Sequence, residues 1–451
     1  MPEESKRKDR FDPRSYGAVA DGHTKDTAAV QAAIDAAATQ GGTVRLAGGT
    51  FVCGTLYLKS NVALEITNSA TLLASPDIAD YGTDTHHNRY RNEPELDRCF
   101  LFAQDAENVT ICGSGVIDGN AAAFPNAGSI YRPMLLRVLR CRNVRVQNLR
   151  LLNAAAWTTA FLDSDFIWAT DLHIENHRNY NGDGLDFDGC RHVWVRGCYI
   201  DGTDDNLCLQ SSGLPVQDVH ISDCAFTSVC AGIRIGLKSI GEISGVVISN
   251  CTMRNIWREG IKLECTEGGS ITDILVENVA MHNVRRPIFA ILNNRYRPDD
   301  LGSSVELDHI PPIGTMARLR FVGITAVDDE GMAHAQRRFD NDIMGEPKFG
   351  GCRFDANAAH PIEDVTIRDF WYTAIGGVRL ADLPAAPYPE VPDRLQGPTT
   401  PGSENYYPDW SRTTHLDARY VRGLTLENLH FITLHSDERP KMLTEDPTVM
   451  L

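Results

Sequence analysis

The sequence lacks any apolar run near the ~20 residues that a membrane-spanning helix needs, and residues 1–10 have no apolar core of the kind a signal peptide carries. The chain as written therefore predicts a cytoplasmic protein, and a secreted or periplasmic one would need a preceding signal. Basic residues are also in deficit, with 43 Lys and Arg against 60 Asp and Glu and a net charge of −17. This balance argues against nucleic acid and membrane surfaces as partners.

Paired cysteines are missing too. The twelve cysteines include no Cys-x-x-Cys pair and no Cys/His spacing typical of a metal site, so we predict no metal. Cys198, Cys224 and Cys251 instead occur at one place in successive repeats. This recurrence indicates small buried apolar side chains in a reducing compartment rather than disulfides.

The strongest pattern is an internal repeat. Aligning Leu185 with Leu207, 22 residues later, also superimposes Asp183 on Asp205. The same apolar alternation recurs at 231–235, 259–263 and 286–290. A fixed period slightly above 20 residues is typical of a solenoid.

Short apolar alternation, turns of Asn, Asp and Gly, and the lack of helices between strands exclude a βαβ fold. We predict an all-β, single-domain, right-handed parallel β-helix with a short N-terminal capping helix at about residues 26–38. The predicted organisation is as follows: an N-terminal segment with the capping helix at 1–42, the β-helix at 43–435 with long loops near 279–316, 327–360 and 375–420, and a C-terminal tail at 436–451.

Three carboxylates mark the candidate site. Coils of a parallel β-helix stack about 4.8 Å apart, so Asp183 and Asp205 are expected within roughly 5–7 Å of each other, with Asp204 beside them. One such Asp alone would be explained by turn capping or Ca²⁺ binding. Three crowded carboxylates cost stability, and together they favour an inverting glycoside hydrolase, in which one carboxyl donates a proton and another activates water.

The motifs around these residues resemble those of family 28 of the glycoside hydrolases, the polygalacturonase family, over most of 11–295. The family's Asn-Thr-Asp-Gly motif appears at 181–184 as Asn-Gly-Asp-Gly, and its Gly-Asp-Asp motif appears at 203–205 as Thr-Asp-Asp. The resemblance implies a divergent member with a carbohydrate substrate, a pectin-related glycan, and no cofactor. It also implies that Asp204 is the general acid and that Asp183 and Asp205 hold the attacking water.

Two departures from the family pattern concern the catalytic site and substrate recognition. The family's Gly-His-Gly appears as Cys-Ala-Gly at 230–232, which removes the histidine, and its Arg-Ile-Lys appears as Lys-Leu-Glu at 262–264. Arg234, one coil before Lys262, either restores a positive charge or pairs with Glu264. These changes favour a neutral sugar, or a branched pectic, rhamnogalacturonan-like or other plant or microbial glycan, over galacturonic acid at the central subsites.

Further candidates for sugar contacts lie near these motifs: His177, Tyr180, Asp186, Arg258 and Glu259. Glu259 falls in the same column as Asp183, which makes it a candidate for acid–base chemistry as well.

Other functions of the same scaffold remain open. A polysaccharide lyase, an epimerase or an intramolecular glycosyl or fructosyl transferase is compatible with Arg234 and Lys262 beside the aspartates. A non-catalytic carbohydrate-binding β-helix is favoured by the missing histidine and opposed by the three aspartates. Long loops that block one end of a groove would favour exo action, and the sequence leaves the oligomeric state open.

Overall fold

The computed structural model describes residues 10–85, 97–125, 132–294, 311–331, 350–385 and 410–445. The chain forms two compact units, residues 1–203 and 204–451. Both are built mainly from parallel β-strands. Within these ranges, no helix has the length and apolar character needed to cross a membrane.

The strands of the first unit are short. They are β1 Arg10–Phe11, β2 Asp21–Lys25, β3 Gly42–Leu46, β4 Gly49–Cys53, β5 Leu56–Leu58, β6 Val62–Ile66, β7 Ala70–Ala74, β8 Cys99–Gln104, β9 Glu107–Gly113, β10 Val116–Asp118, β11 Met134–Leu139, β12 Arg142–Gln147, β13 Arg150–Leu152, β14 Thr159–Leu162, β15 Asp165–Thr170, β16 His173–Glu175, β17 Leu185–Asp188, β18 Arg191–Arg196 and β19 Tyr199–Gly202. Short 3-10 helices occur at Pro13–Tyr16, Ile78–Asp80, Thr83–Thr85 and Ala121–Ala123.

Each turn of the chain in the first unit adds one strand to each of three parallel ladders. The ladders are β3–β6–β9–β12–β15–β18, β4–β7–β10–β13–β16–β19 and β5–β8–β11–β14–β17. The core between them is a column of apolar side chains, of which Val144, Ile167 and Val193 are fully buried on neighbouring strands. The period-2 alternation therefore sends alternate side chains into the core.

The predicted helix is present as α1, Thr27–Ala38, and it buries Val30, Ile34 and Ala37. The backbone amide of Tyr57 on β5 donates to Gln31 Oε1 at 2.8 Å, which ties the helix to the first coils. The carboxylate of Asp26, directly before the helix, accepts hydrogen bonds from backbone amides of the preceding loop rather than capping α1.

The strands of the second unit range from 3 to 23 residues in length. They are β20 Leu207–Ser211, β21 Val216–Ser222, β22 Ala225–Ser228, β23 Ile233–Ser239, β24 Glu242–Ser249, β25 Thr252–Cys265, β26 Ser270–Leu292, β27 Thr315–Val327, β28 Cys352–Asp355, β29 Ile362–Gly376, β30 Leu416–Arg419, β31 Val421–His435 and β32 Met442–Thr444. A 3-10 helix lies at Leu380–Asp382.

One parallel ladder of the second unit carries the candidate site residues. It runs β20–β23–β25–β26–β28–β30–β32. The apolar alternation that recurs in the sequence forms two columns in the register of this ladder: Leu207, Ile233, Ile261 and Ile288, and then Leu209, Ile235, Leu263 and Ala290. All eight side chains are fully buried, so the intervening positions of these strands face away from the core.

The turns between strands explain the polar part of the repeat. One position of the repeat is held at a φ between 53° and 65° in six repeats: directly after a strand at Asn148, Asp171, Gly197, Asp223 and Asn250, and inside β26 at Asn278. This left-handed region is disfavoured for most side chains but tolerated by Asn, Asp and Gly. The backbone therefore dictates the residue type at that position.

The predicted fold class, a right-handed parallel β-helix with few helices, is confirmed. The twelve cysteines are all free thiols. The loop expected near 279–316 begins later than predicted, because β26 continues to Leu292 in register with β25. Strand β28 likewise lies inside the loop expected near 327–360. Parts of all three predicted loops lie outside the described residues, and the domain boundaries stay predictions.

Candidate active site

In the first unit, Asp183 lies in the loop that leads into β17. The backbone amide of Gly182 donates to Thr203 Oγ1 at 3.1 Å, and that hydroxyl donates to the Asn179 carbonyl at 2.5 Å. A Cβ on Gly182 would lie 2.3 Å from Thr203 Oγ1, so this close approach requires glycine. The carbonyl of Asp183 accepts from the Thr158 amide at 2.9 Å, and the residue is 2% exposed.

A buried arginine fixes the start of the same loop. Arg132 Nη1 donates to the Tyr180 carbonyl at 2.6 Å, and Nη2 donates to Asn181 Oδ1 at 2.8 Å. Asn181 has a φ of 56°, which its short polar side chain tolerates. The predicted contact residue Tyr180 is thus held through its backbone.

Two other predicted residues of the first unit differ in exposure. Asp186 is buried on β17. His177 is exposed, and its Nε2 lies 3.2 Å from Asp201 Oδ1. Their predicted sugar contacts stay predictions.

In the second unit, Asp204 and Asp205 lie directly before β20. Asp205 is fully buried, while Asp204 is partly exposed. Asp205 Oδ2 lies 2.6 Å from Arg234 Nη1, and its Oδ1 accepts from the Ala231 amide at 3.0 Å. Ser228 Oγ donates to the Asp204 carbonyl at 2.5 Å. The backbone of Asp204 and the side chain of Asp205 are therefore both fixed.

The two neighbouring carboxyls have opposite proton affinities. Burial, and then the negative charge of Asp205, raise the pKa of Asp204. Burial alone would also raise the pKa of Asp205, but the positive charges of Arg234 and Lys262 lower it below its ordinary value. Such a separation of two carboxyls into a protonated and an ionised partner is what acid–base catalysis needs.

The ion pair of Arg234 in the structure is one that the sequence analysis did not name. Arg234 pairs with Asp205, while Lys262, its neighbour in the ladder, lies 3.6 Å from Glu264 Oε2 and 3.7 Å from Glu259 Oε2. Lys262 and Glu264 are both fully buried. The charge of Lys262 is thus already balanced by protein carboxylates.

Glu259 lies among arginines. Its Oε1 is 3.1 Å from Arg286 Nη1 and its Oε2 is 3.6 Å from Arg258 Nε. Burial would raise the pKa of Glu259, but Arg258, Lys262 and Arg286 lower it to about 2. Glu259 is therefore ionised near neutral pH and has no proton to donate there. The side chain of Arg258 keeps 22% of its surface exposed.

Sequence reasoning missed the thiol of Cys230, having registered only the lack of a histidine at Ala231. The ligand atoms of Cys230, Asp204 and Asp205 lie within 4.8 Å of one another, so this group has the donor set for a metal ion. The fixed charge of Arg234 at 2.6 Å competes with a cation there. The only sequence signal for Cys230 was its place directly before Ala231.

Comparisons with known proteins give a family match and several relatives. Residues 49–306 match the family model "Glycosyl hydrolases family 28". The chain is 26% identical over 303 residues to a "Probable polygalacturonase" of Vitis vinifera, and 26% identical over 334 residues to an "Exo-poly-alpha-D-galacturonosidase" of Dickeya chrysanthemi. Each alignment covers 60% of this chain, but only 60% and 55% of the relatives' own lengths.

A solved structure has the same fold. An exopolygalacturonase from Thermotoga maritima superimposes with a TM-score of 0.64 at 20% identity, over 81% of this chain and 87% of that chain.

Proposed function

Because the chain belongs to family 28 of the glycosyl hydrolases, we propose that it is a polygalacturonase-type hydrolase that cleaves glycosidic bonds of a pectin-related polyuronate. The observation that carries the proposal is the Asp204–Asp205 pair, whose pKa values are displaced in opposite directions. A protonated and an ionised carboxyl side by side supply the acid and the base of glycoside hydrolysis.

The proposed reaction assigns one proton to each carboxyl. Asp204 donates its proton to the glycosidic oxygen as the bond from that oxygen to the anomeric carbon breaks. Water attacks the anomeric carbon, and Asp205 accepts the proton that the water loses. The products are a new reducing end and a free hydroxyl, and the two carboxyls have exchanged protonation states, which solvent then restores.

The stereochemistry belongs to the same proposal. The facing ligand atoms of Asp204 and Asp205 lie within 4.8 Å, closer than the ~6.5–9.5 Å between the carboxyl groups of typical inverting glycosidases. Asp205 alone does not match that spacing, so we assign Asp183 a share in holding the water, on the strength of its place in the sequence repeat. With that third carboxylate the expected product has the inverted configuration.

Recognition of the substrate carboxylate is assigned to Arg258. Lys262 is buried between Glu259 and Glu264, whereas the Arg258 side chain is 22% exposed and its Nη1 reaches Cys230 beside the catalytic pair. Guanidinium groups bind carboxylates with two parallel hydrogen bonds. Exo action is part of the proposal, supported by the similarity to the Dickeya exo-poly-alpha-D-galacturonosidase and the Thermotoga exopolygalacturonase.

The experiment is product analysis of the full chain on polygalacturonate, beside Asp204→Asn and the exposed control Asp223→Asn. We expect new reducing ends from the wild type and from Asp223→Asn, and a loss of at least about a hundredfold in kcat from Asp204→Asn. An unsaturated product would replace hydrolysis by lyase chemistry. Equal activity of Asp204→Asn and wild type would reject the assigned acid.

The anomeric configuration is read by NMR immediately after mixing. An inverted reducing end that is absent with Asp183→Asn supports the three-carboxylate assignment. A retained anomer would contradict it and point to a covalent intermediate on Asp205.

A further inference from the structure

The outward face of one ladder in the first unit carries arginines and aromatic rings that the proposed function does not use. These side chains lie on β12, β15 and β18, whereas Asp183 directly precedes the start of β17, which belongs to another ladder. Arg142 is exposed and the others are partly exposed. The members of this group, the stacked patch, are Arg142, Arg145, Phe166, Trp168, His192 and Trp194.

Two columns of side chains form the stacked patch. In the first column, the guanidinium carbon of Arg145 lies 3.9 Å from the ring centre of Trp168. The indole rings of Trp168 and Trp194 are stacked, with centroids 5.0 Å apart and planes at 9°. In the second column, Arg142 lies 4.5 Å from the ring centre of Phe166, and that ring stacks on a histidine with centroids 4.5 Å apart. Each arginine is thus placed over the first ring of an aromatic column.

The backbone of the second column departs from the residue type that it favours. Asn61, Asn108 and Asn143 occupy one left-handed position near the start of three preceding strands, and their side-chain amides are hydrogen-bonded to one another at 2.8 and 2.6 Å. Phe166 and His192 continue this position with φ values of 57° and 55°. Bulky side chains are outliers in this region, and such outliers are concentrated at functional sites. The two aromatic residues therefore call for a role beyond the backbone bend.

The arginines of this face are of two kinds. Arg140 and Arg191 each hold an aspartate through two parallel hydrogen bonds of 2.7 to 3.0 Å. Across the part of the chain that the structure describes, Arg142 and Arg145 form no such ion pair. Stacking occupies the flat face of a guanidinium and leaves the N–H donors, which lie in its plane. Arg142 and Arg145 therefore keep the donors that the other two arginines use on carboxylates.

We propose that the stacked patch is a second binding surface for a polyuronate chain, which docks there without being cleaved. Carboxylates of the chain pair with the guanidinium groups of Arg142 and Arg145, and the ring edges, which carry partial positive charge, contact its hydroxyl groups. A long polymer held at two surfaces of one protein dissociates less readily than one held at a single site. The inference takes its ligand class from the proposed function and in that respect rests on it.

The test measures polygalacturonate binding by affinity gel electrophoresis of the Asp204→Asn protein, so that the polymer is not consumed. Into this protein we introduce either Arg142→Gln with Arg145→Gln, or the matched control Arg140→Gln with Arg191→Gln. Both pairs remove two positive charges from the same face, but only the first pair removes the stacked guanidinium groups. We expect the apparent affinity to fall about tenfold with the first pair and less than about twofold with the control pair.

Lysine variants test the stacked geometry itself. Arg142→Lys with Arg145→Lys keeps both charges and loses both planar groups, so it should recover only part of the lost affinity. A lysine variant that binds as tightly as its parent would overturn the role of stacking. Circular dichroism checks that each variant is folded.

Three results would overturn the inference: unchanged binding in the first glutamine pair, equal losses in that pair and its control, or a patch-dependent binding of duplex DNA without any patch-dependent binding of polygalacturonate. The proposed function is judged separately, by cleavage with intact Asp204. If that protein cleaves no polyuronate but binding still depends on the stacked patch, the proposed function fails and the inference stands. If it cleaves the polymer and binding is independent of the patch, only the inference fails.

Discussion

Arg234 controls the ionisation of Asp205, because it places a positive charge 2.6 Å from Oδ2 of a fully buried carboxylate. The lowered pKa of Asp205 means that activity requiring its ionised form is kept down to acidic pH and lost only as pH falls through that lowered value. The raised pKa of Asp204 means that activity requiring its proton is lost as pH rises through the raised value. By lowering the pKa of Asp205, Arg234 thus widens the pH range of activity, which ends at an acid limb set by Asp205 and an alkaline limb set by Asp204.

Replacing Arg234 by Gln removes that charge. The pKa of Asp205 rises, so the acid limb of the kcat/KM profile moves to higher pH by at least about one unit. Arg234→Lys keeps the charge and should move the limb less. Arg318→Gln, which breaks an exposed ion pair with Asp273, controls for loss of an arginine. An acid limb that stays in place in Arg234→Gln would show that Asp205 is not the group that titrates there.

Under the proposed function, Arg258 is the residue that recognises a charged sugar. Arg258→Gln should raise KM for polygalacturonate about tenfold, because a charge-assisted pair with the substrate carboxylate is lost. KM for methyl-esterified pectin, which presents a neutral ester, should stay near the wild-type value. Equal rises in KM on both polymers would contradict this role and leave Arg258 as a structural partner of Glu259. The measurement is initial-rate kinetics on the two polymers.

At the scale of the element, the turns of the coil are the sensitive points. Asn250 follows β24, is exposed, and has a φ of 56°. A β-branched side chain in this left-handed region costs about 1–2 kcal/mol. Asn250→Val should therefore lower the unfolding free energy by about that amount, measured by urea denaturation.

Asn250→Gly is the matched control. It also removes the side-chain contact with Asn278 Nδ2 at 3.4 Å, but glycine adopts a positive φ without strain. Its unfolding free energy should stay close to that of the wild type. If the two variants are equally destabilised, the backbone conformation is not the cause.

Strand β28 carries a buried carboxyl, Asp355, whose pKa is raised. Asp355 lies 3.7 Å from Arg353 Nε and 3.8 Å from Arg419 Nη1. Burial raises its pKa to about 6 against the effect of the arginines. Because the folded-state value exceeds the unfolded one, its stabilising contribution is full below about pH 3.9 and is lost as pH rises through about 6.

Asp355→Asn cannot ionise and should not lose that contribution. We expect the Tm of the variant, relative to wild type, to rise by about 3 °C between pH 4 and pH 8. Asp369→Asn, at a more exposed position of β29, controls for the loss of a carboxylate. A Tm difference for Asp355→Asn that is flat or falls with pH would contradict the raised pKa.

These elements show which features the sequence could predict. The period was visible because the left-handed turn restricts Asn250 and its equivalents to Asn, Asp or Gly, and the inward columns followed from strand alternation. The loop near 279–316 was predicted to start too early, because the apolar strand pattern of β26 continues to Leu292. The partner of Arg234 was not predicted: the sequence suggested Glu264, whereas Arg234 pairs with Asp205, and which carboxylate a long side chain meets depends on their three-dimensional positions.

At the scale of the whole molecule, the net charge of −17 opposes the approach of a polyanionic substrate. Exposed charges act over about 30 Å at 0.01 M ionic strength but only about 10 Å at 0.1 M. Arg258, the positive group assigned to recognition, is partly buried and acts at contact distance, where salt screens it less. Long-range repulsion and local attraction therefore respond differently to salt.

KM for polygalacturonate should consequently fall as ionic strength is raised from about 0.01 to 0.1 M, while kcat stays constant. Methyl-esterified pectin, which carries little charge, should show a flat KM over the same range and serves as the control. A KM for polygalacturonate that rises from the lowest salt upward would mean that attraction by the local cations outweighs the net charge even at long range. The direction in which KM changes with salt therefore shows whether repulsion by the net charge or attraction by the local cations dominates the approach of the substrate.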